Sequence, residues 1–178
     1  QRLLEAMSVP LDDDDGAILE GALDLLLERS ERCDALVVGP GIGRAEGTGR
    51  LVAGLLRRSN KPVLLDADGL YPFSGAIEGL KRVAPLVITP HTGELARLLG
   101  VSGDDVEGAR LAHAQLAAER SGAVVVLKGS DTVIAAPGQS PLVNTLKAPG
   151  LATAGTGDVL TGIAGAYLAK GLGALEAA

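Results

Sequence analysis

Apolar and polar positions along this chain fall into two alternating rhythms. Residues 35–38, 62–66, 86–89 and 123–127 are short apolar runs, the pattern of strands buried on both faces. Between them the period lengthens. Residues 18–29 carry Ile18, Ala22 and Leu26 on one stripe with Leu19, Leu23 and Leu27 beside it, which predicts an amphipathic helix. A second helix is predicted over 48–58, and a short one over 93–99 that Gly100 stops. Ser102 and Asp105 have the spacing of a capping box and open a helix running to about residue 120. Residues 132–136 predict a strand and 137–140 a turn between strands, and a last helix follows Asp158. Strands separated by helices predict an α/β fold with a mostly parallel central sheet. At 178 residues, with no internal repeat or linker, the chain reads as a single domain, 1–178.

Composition narrows the picture. Apolar residues make up 47% of the chain but aromatic residues only 2%, so the core is aliphatic. The net charge of −6 comes with no basic cluster, which argues against nucleic acid or an anionic membrane as partner. No run approaches the ~20 apolar residues of a membrane span, and no signal peptide is visible. Cys33 is the sole cysteine, which excludes an internal disulfide and fits a reducing, cytoplasmic setting. It precedes an apolar run and is expected to be a small buried residue. The chain opens on Gln1 rather than Met and stops at Ala178.

In parallel sheets ligands bind beyond the carboxyl ends of the strands. The polar motifs of this chain, at residues 39–43, 66–68, 90–94 and 128–132, each follow a predicted strand. Gly39, Gly41 and Gly43 do not form a dinucleotide fingerprint, because the third glycine would have to stand at Arg44 or Glu46. Their alternatives are a plain strand-end turn or a close approach of backbone to ligand. Residues 150–156 imitate a P-loop, but Thr156 stands where its lysine belongs. The run Ala154-Gly155-Thr156-Gly157-Asp158 leads into an apolar helix. It is a candidate phosphate site, since free N–H groups at a helix start attract anions and glycine permits close approach. An acid at such a site either caps the helix or accepts a proton from an attacking hydroxyl. His91 and Glu94 could contact substrate and orient a metal-bound water, or Thr92 could cap the helix and Glu94 complement its dipole. A zinc site is not expected, because no second histidine lies near. Lys128 could meet nucleotide phosphates or simply face solvent. The acidic run at residues 12–15 reads as a solvated turn and helix start, and His113 as a surface residue.

Taken in order, these segments resemble the ADP/ATP-dependent NAD(P)H-hydrate dehydratase family of the ribokinase-like superfamily. The resemblance rests on VVGPGIG (37–43), PVLLDADGL (62–70), ITPHTGELARLLG (88–100), VVLKGSDTVIAAP (125–137) and APGLATAGTGDVLTGIAGAYLAKG (148–171). It implies a three-layer α/β/α domain, here truncated at both ends and without the epimerase domain often fused to it. It implies repair of hydrated NADH and NADPH: ADP or ATP phosphorylates the hydrate hydroxyl, and phosphate is then eliminated. Asp158 would be the catalytic base and touch the hydrate, with Gly155, Thr156 and Gly157 as the anion hole. Gly43 and His91 would contact the hydrate. Lys128, Gly129, Ser130, Asp131, Thr132 and Gly157 would bind the nucleotide, and Glu94 would help hold Mg²⁺. The family also implies a homo-oligomer, as a tetramer. This chain departs from the family's Gly-Asn-Pro-Gly segment with Lys147-Ala148-Pro149-Gly150. The alternatives are a small-molecule kinase of the same superfamily, such as a hydroxyethylthiazole kinase, and a non-catalytic nucleotide-binding module.

Overall fold

A computed structural model describes residues 6–14, 17–146, 150 and 153–178. A short antiparallel ribbon, β1 (Asp13–Asp14) with β2 (Ala17–Ile18), precedes the main sheet. That sheet has six strands in sequence order: β3 (Leu36–Val38), β4 (Val63–Leu65), β5 (Leu86–Ile88), β6 (Val124–Leu127), β7 (Thr132–Ala135) and β8 (Leu142–Asn144). Strands β3 to β6 run parallel, and β7 and β8 add antiparallel. The helices are α1 (Leu23–Ser30), α2 (Glu46–Arg58), α3 (Thr92–Leu99), α4 (Gly103–Gly108), α5 (Arg110–Ser121), α6 (Thr156–Ala169) and α7 (Ala174–Ala177).

Alternation along each strand sorts side chains onto two faces and makes three layers. Val63, Leu65, Leu86, Ile88, Val125 and Leu127 join the core that includes Leu51, Val52, Leu95, Leu98 and Ala117 from α2, α3 and α5. Leu64, Val87, Val124 and Val126 face the other way, onto Ala164, Leu168 and Ala177 from α6 and α7. Burying each Leu or Val of these strands is worth roughly 1.5–3 kcal/mol. This is the expected α/β/α sandwich with a mostly parallel sheet.

Several local expectations change. Ile18 belongs to the ribbon, and the first helix begins as a 3₁₀ turn at Glu20 before α1. The acidic run therefore supplies Asp13 and Asp14 to a strand and not to a helix start. The helix predicted from Ser102 to residue 120 is broken at Ala109, whose backbone (φ −146°, ψ 52°) leaves the helical region just after Gly108. The Ser102–Asp105 capping box itself is present. Cys33 is exposed, not buried, because the chain is still turning out of α1 there, with Cys33 N–H on Ser30 O at 2.9 Å. Residues 67–73, which carried no prediction of their own, coil into a 3₁₀ helix that drives Leu70 and Phe73 into the core.

Candidate functional site

The carboxyl ends of β3, β4, β5 and β6 and the start of α6 converge on the turn after β4. Its two carboxylates do different work. Asp66, with 3% of its side chain exposed, accepts from Lys128 Nζ at 2.7 Å and from Thr161 Oγ1 at 2.9 Å. Asp68 accepts from Arg44 Nε at 2.6 Å and from the Gly43 N–H at 3.3 Å. Between them Ala67 takes φ 48°, a left-handed conformation uncommon outside glycine. Gly39 makes the turn possible: a Cβ there would lie 1.7 Å from Asp66 O. Its place in the glycine run is thus explained by close packing of one strand end on the next.

Burial by itself raises the Asp66 carboxyl. Lys128 and the hydroxyls of Thr89 and Thr161 outweigh it, and the group stays below the ordinary carboxylate range. The Thr161 hydroxyl proton is shared between Asp66 and Gly157 O, 2.8 Å away. This fastens the first turn of α6 to the β4 turn.

Helix α6 starts earlier than its apolar run predicts. Gly155, in the left-handed region at φ 89°, is the N-cap, and Thr156, Gly157 and Asp158 form the first turn. Asp158 therefore sits third in the helix and is not the cap. It is exposed and makes no side-chain hydrogen bond or ion pair with the described residues. Of the three expected anion-hole residues, Thr156 is turned inward, its Oγ1 on Thr153 O at 2.6 Å and its N–H on the same oxygen at 3.4 Å. The Gly157 and Asp158 N–H groups have no such backbone partner among the described residues. A Cβ on Gly157 would stand 3.8 Å from both Lys128 Nζ and Asp66 Oδ2, so the ammonium lies directly under the helix start. The helix dipole and the ammonium both favour anions here, while the Asp66 carboxylate, equally close and paired with that ammonium, offsets part of its charge. Residues 151–152 of the P-loop-like run, and 147–149 of the Lys147–Gly150 departure, fall outside the described residues.

His91 is the N-cap of α3, in place of Thr92. Its Nδ1 accepts from the Gly93 and Glu94 N–H groups at 3.0 and 3.3 Å, which puts the ring proton on Nε2. Glu94 returns the contact, accepting from the His91 N–H at 2.8 Å. The imidazole is 60% exposed while the Glu94 carboxylate is 8% exposed. A parallel bridge joins His91 to Lys128, whose N–H donates to Pro90 O at 2.9 Å. The β5 and β6 loops are thus one surface. Gly43 bonds instead to Asp68 and lines a cavity of about 470 Å³ with Arg44, Arg50, Asp68 and Tyr71, a lining that includes neither His91 nor Lys128. The Arg44 guanidinium lies over the Tyr71 ring, 5.1 Å from its centroid.

Ser130 is exposed, and Asp131 and Thr132 are half-buried beyond Gly129. The expected residues at positions 91, 128 and 157 are thereby drawn together. Sequence reasoning assigned no role to Asp66, Thr161 or Arg110. Asp66 stands out in the sequence only as a strand-end polar residue, and Thr161 does not stand out at all.

A sequence profile for NAD(P)H-hydrate dehydratase matches residues 3–178. The chain belongs to the NAD(P)H-hydrate dehydratase family. It is 45% identical over 177 residues to the bifunctional NAD(P)H-hydrate repair enzyme Nnr of Salinibacter ruber, covering 98% of this chain and 32% of that protein. It is 39% identical over 175 residues to the ADP-dependent (S)-NAD(P)H-hydrate dehydratase of Neisseria meningitidis, covering 91% of this chain and 58% of that one. The ADP/ATP-dependent NAD(P)H-hydrate dehydratase of Bacillus subtilis, co-crystallised with ATP and Mg²⁺, superposes with a TM-score of 0.66 at 36% identity, over 76% of this chain and 47% of that one. This chain thus spans about a third of the bifunctional relative and just over half of the dehydratase. Among the described residues no helix is long and apolar enough to cross a membrane.

Proposed function

We propose that this domain dehydrates hydrated NADH and NADPH at the expense of ADP or ATP. The observation that carries the reading is the α6 start: Asp158, whose carboxylate has no partner among the described residues, beside the Gly157 and Asp158 N–H groups and above the Lys128 ammonium. Phosphoryl transfer needs that combination of positioning and charge stabilisation. The hydrate hydroxyl loses its proton to Asp158 as its oxygen bonds to the terminal phosphorus. The bridging P–O bond breaks and AMP leaves if ADP is the donor. The ring C–O bond then breaks with phosphate as leaving group, and loss of a proton from the adjacent carbon restores the dihydronicotinamide. Hydroxide leaves poorly and phosphate well, which is why a nucleotide is spent on losing water.

In this reading Gly155, Thr156 and Gly157 form the anion hole, with the Gly157 and Asp158 N–H groups as its outward donors. Residues 128–132 receive the nucleotide, and Gly43 and His91 face the hydrate. No group of three potential metal ligands occurs among the described residues. Glu94, already capping α3, offers one carboxylate. Such a donor set fits Mg²⁺ that arrives on the nucleotide, ligated mainly by phosphates and water. When bound, the ion would neutralise phosphate charge. The apolar stripe Val159, Ile163 and Tyr167 exposed along α6 supports a homo-oligomer, and a single unpaired cysteine supports a cytoplasmic setting.

The test is to incubate the protein with hydrated NADH, Mg²⁺ and either ADP or ATP and follow the return of NADH absorbance. Return with at least one nucleotide is expected. A phosphorylated product without NADH would favour the kinase alternative, and no reaction with either nucleotide would overturn both.

A further inference from the structure

Arg110 opens α5 at the break after Ala109, and only 10% of its side chain is exposed. Its guanidinium fork reaches two of the loops that frame the site. Nη2 donates to Leu127 O at 3.3 Å, Lys128 O at 3.2 Å and Asp131 O at 2.9 Å. Nη1 donates to Thr92 Oγ1 at 2.9 Å and Glu107 Oε2 at 3.0 Å. Gly129 lies flat against this group. A Cβ there would come within 2.4 Å of Nη2, 2.8 Å of Cζ and 2.9 Å of Nη1. Gly129 is not among the positive-φ glycines, so its backbone would accept alanine. What a side chain at 129 would have to displace is the arginine.

We propose that Arg110 is the positioning residue of the 128–132 loop. By gathering the carbonyls of residues 127, 128 and 131 onto one nitrogen and filling the space above Gly129, it sets the backbone shape that receives the adenine nucleotide. Through Thr92 it ties that loop to the start of α3. A lysine cannot replace it, since an ammonium lacks the planar fork that serves carbonyls and hydroxyl together. The proposal rests on the reading of residues 128–132 as the nucleotide loop.

The test compares the unaltered chain with Gly129→Ala, Arg110→Met, Arg110→Lys and the Gly129→Ala/Arg110→Met double variant. ADP and ATP binding is measured by calorimetry and unfolding by thermal melting. Gly129→Ala and Arg110→Met should each weaken nucleotide binding ~10-fold, and the double variant should be within ~2-fold of Arg110→Met, the non-additivity expected of groups in contact. Arg110→Lys should not rescue. In turnover the nucleotide KM should rise while the hydrate KM stays within ~2-fold, a split that general destabilisation would not produce. Gly129→Ala binding like the unaltered chain, or two effects that multiply in the double variant, would overturn the proposal. If the unaltered chain binds neither nucleotide, the reading of the loop fails. The melting temperatures still judge the clamp, which additive shifts would refute.

Discussion

Removing Lys128 should harm the fold more than neutralising its partner, and the harm should depend on pH. Lys128→Met leaves the Asp66 carboxylate, with 3% of its side chain exposed, facing only the hydroxyls of Thr161 and Thr89. Stripping one partner from a buried pair costs roughly 3–5 kcal/mol. Asp66→Asn is milder. Lys128 has 25% of its side chain exposed and can turn its ammonium to water, so the loss is about that of one charge-assisted hydrogen bond, ~1.5–3 kcal/mol. The pH dependence follows from the direction of the shift. In the unaltered protein Asp66 titrates below its unfolded value, so its contribution is present above about pH 4 and is lost as pH falls through the folded pKa. Without the ammonium, burial, the largest single influence on this carboxyl, is opposed only by the Thr89 and Thr161 hydroxyls, and the folded pKa should rise above the unfolded one. The sign then reverses: the contribution is complete below about pH 4 and is lost as pH rises through the folded pKa. The stability gap between the two proteins should be widest near about pH 7 and narrow toward about pH 4. Urea unfolding followed by circular dichroism at both pH values measures it. A gap constant with pH, or Asp66→Asn costing more than Lys128→Met, would refute the reasoning.

Asp158→Asn should lower turnover by roughly 10²–10⁴-fold, the usual worth of a positioned base, while ADP or ATP affinity measured by calorimetry stays nearly unchanged. Undiminished turnover would remove Asp158 from that role. Thr161→Val keeps the side-chain shape but deprives Asp66 of a donor, so it should cost ~1–3 kcal/mol in urea unfolding; an unchanged midpoint would show that the α6 fastening contributes nothing. Gly39→Ala would place a methyl 1.7 Å from Asp66 O and should destabilise by more than ~3 kcal/mol or prevent folding, since both backbones would have to move. A soluble variant with an unchanged melting temperature would contradict the packing described for the β3 and β4 ends.

By itself the sequence determined the period of each element. The short apolar run at residues 63–65 fits a two-sided strand and a stripe every third or fourth residue fits a helix, but the run at 35–38, expected to be buried on both faces, forms the edge strand β3 with Val37 46% exposed. It also determined the placing of the polar motifs after strands, because parallel topology gathers strand ends on one edge. The Ser102 capping box was legible because its bonds lie within one turn. The tertiary structure decided what depends on distant partners. Nothing in Asp66-Ala67-Asp68 tells one carboxylate from the other. Only folding brings Lys128, 62 residues away, and Thr161, 95 residues away, onto Asp66, while Asp68 goes to Arg44 and Gly43. The contacts that hold the Arg110 guanidinium against Gly129 likewise span 17 to 21 residues of chain. Periodicity records local burial, whereas the partner of a charge is set by register and packing between elements, which no single window of sequence contains.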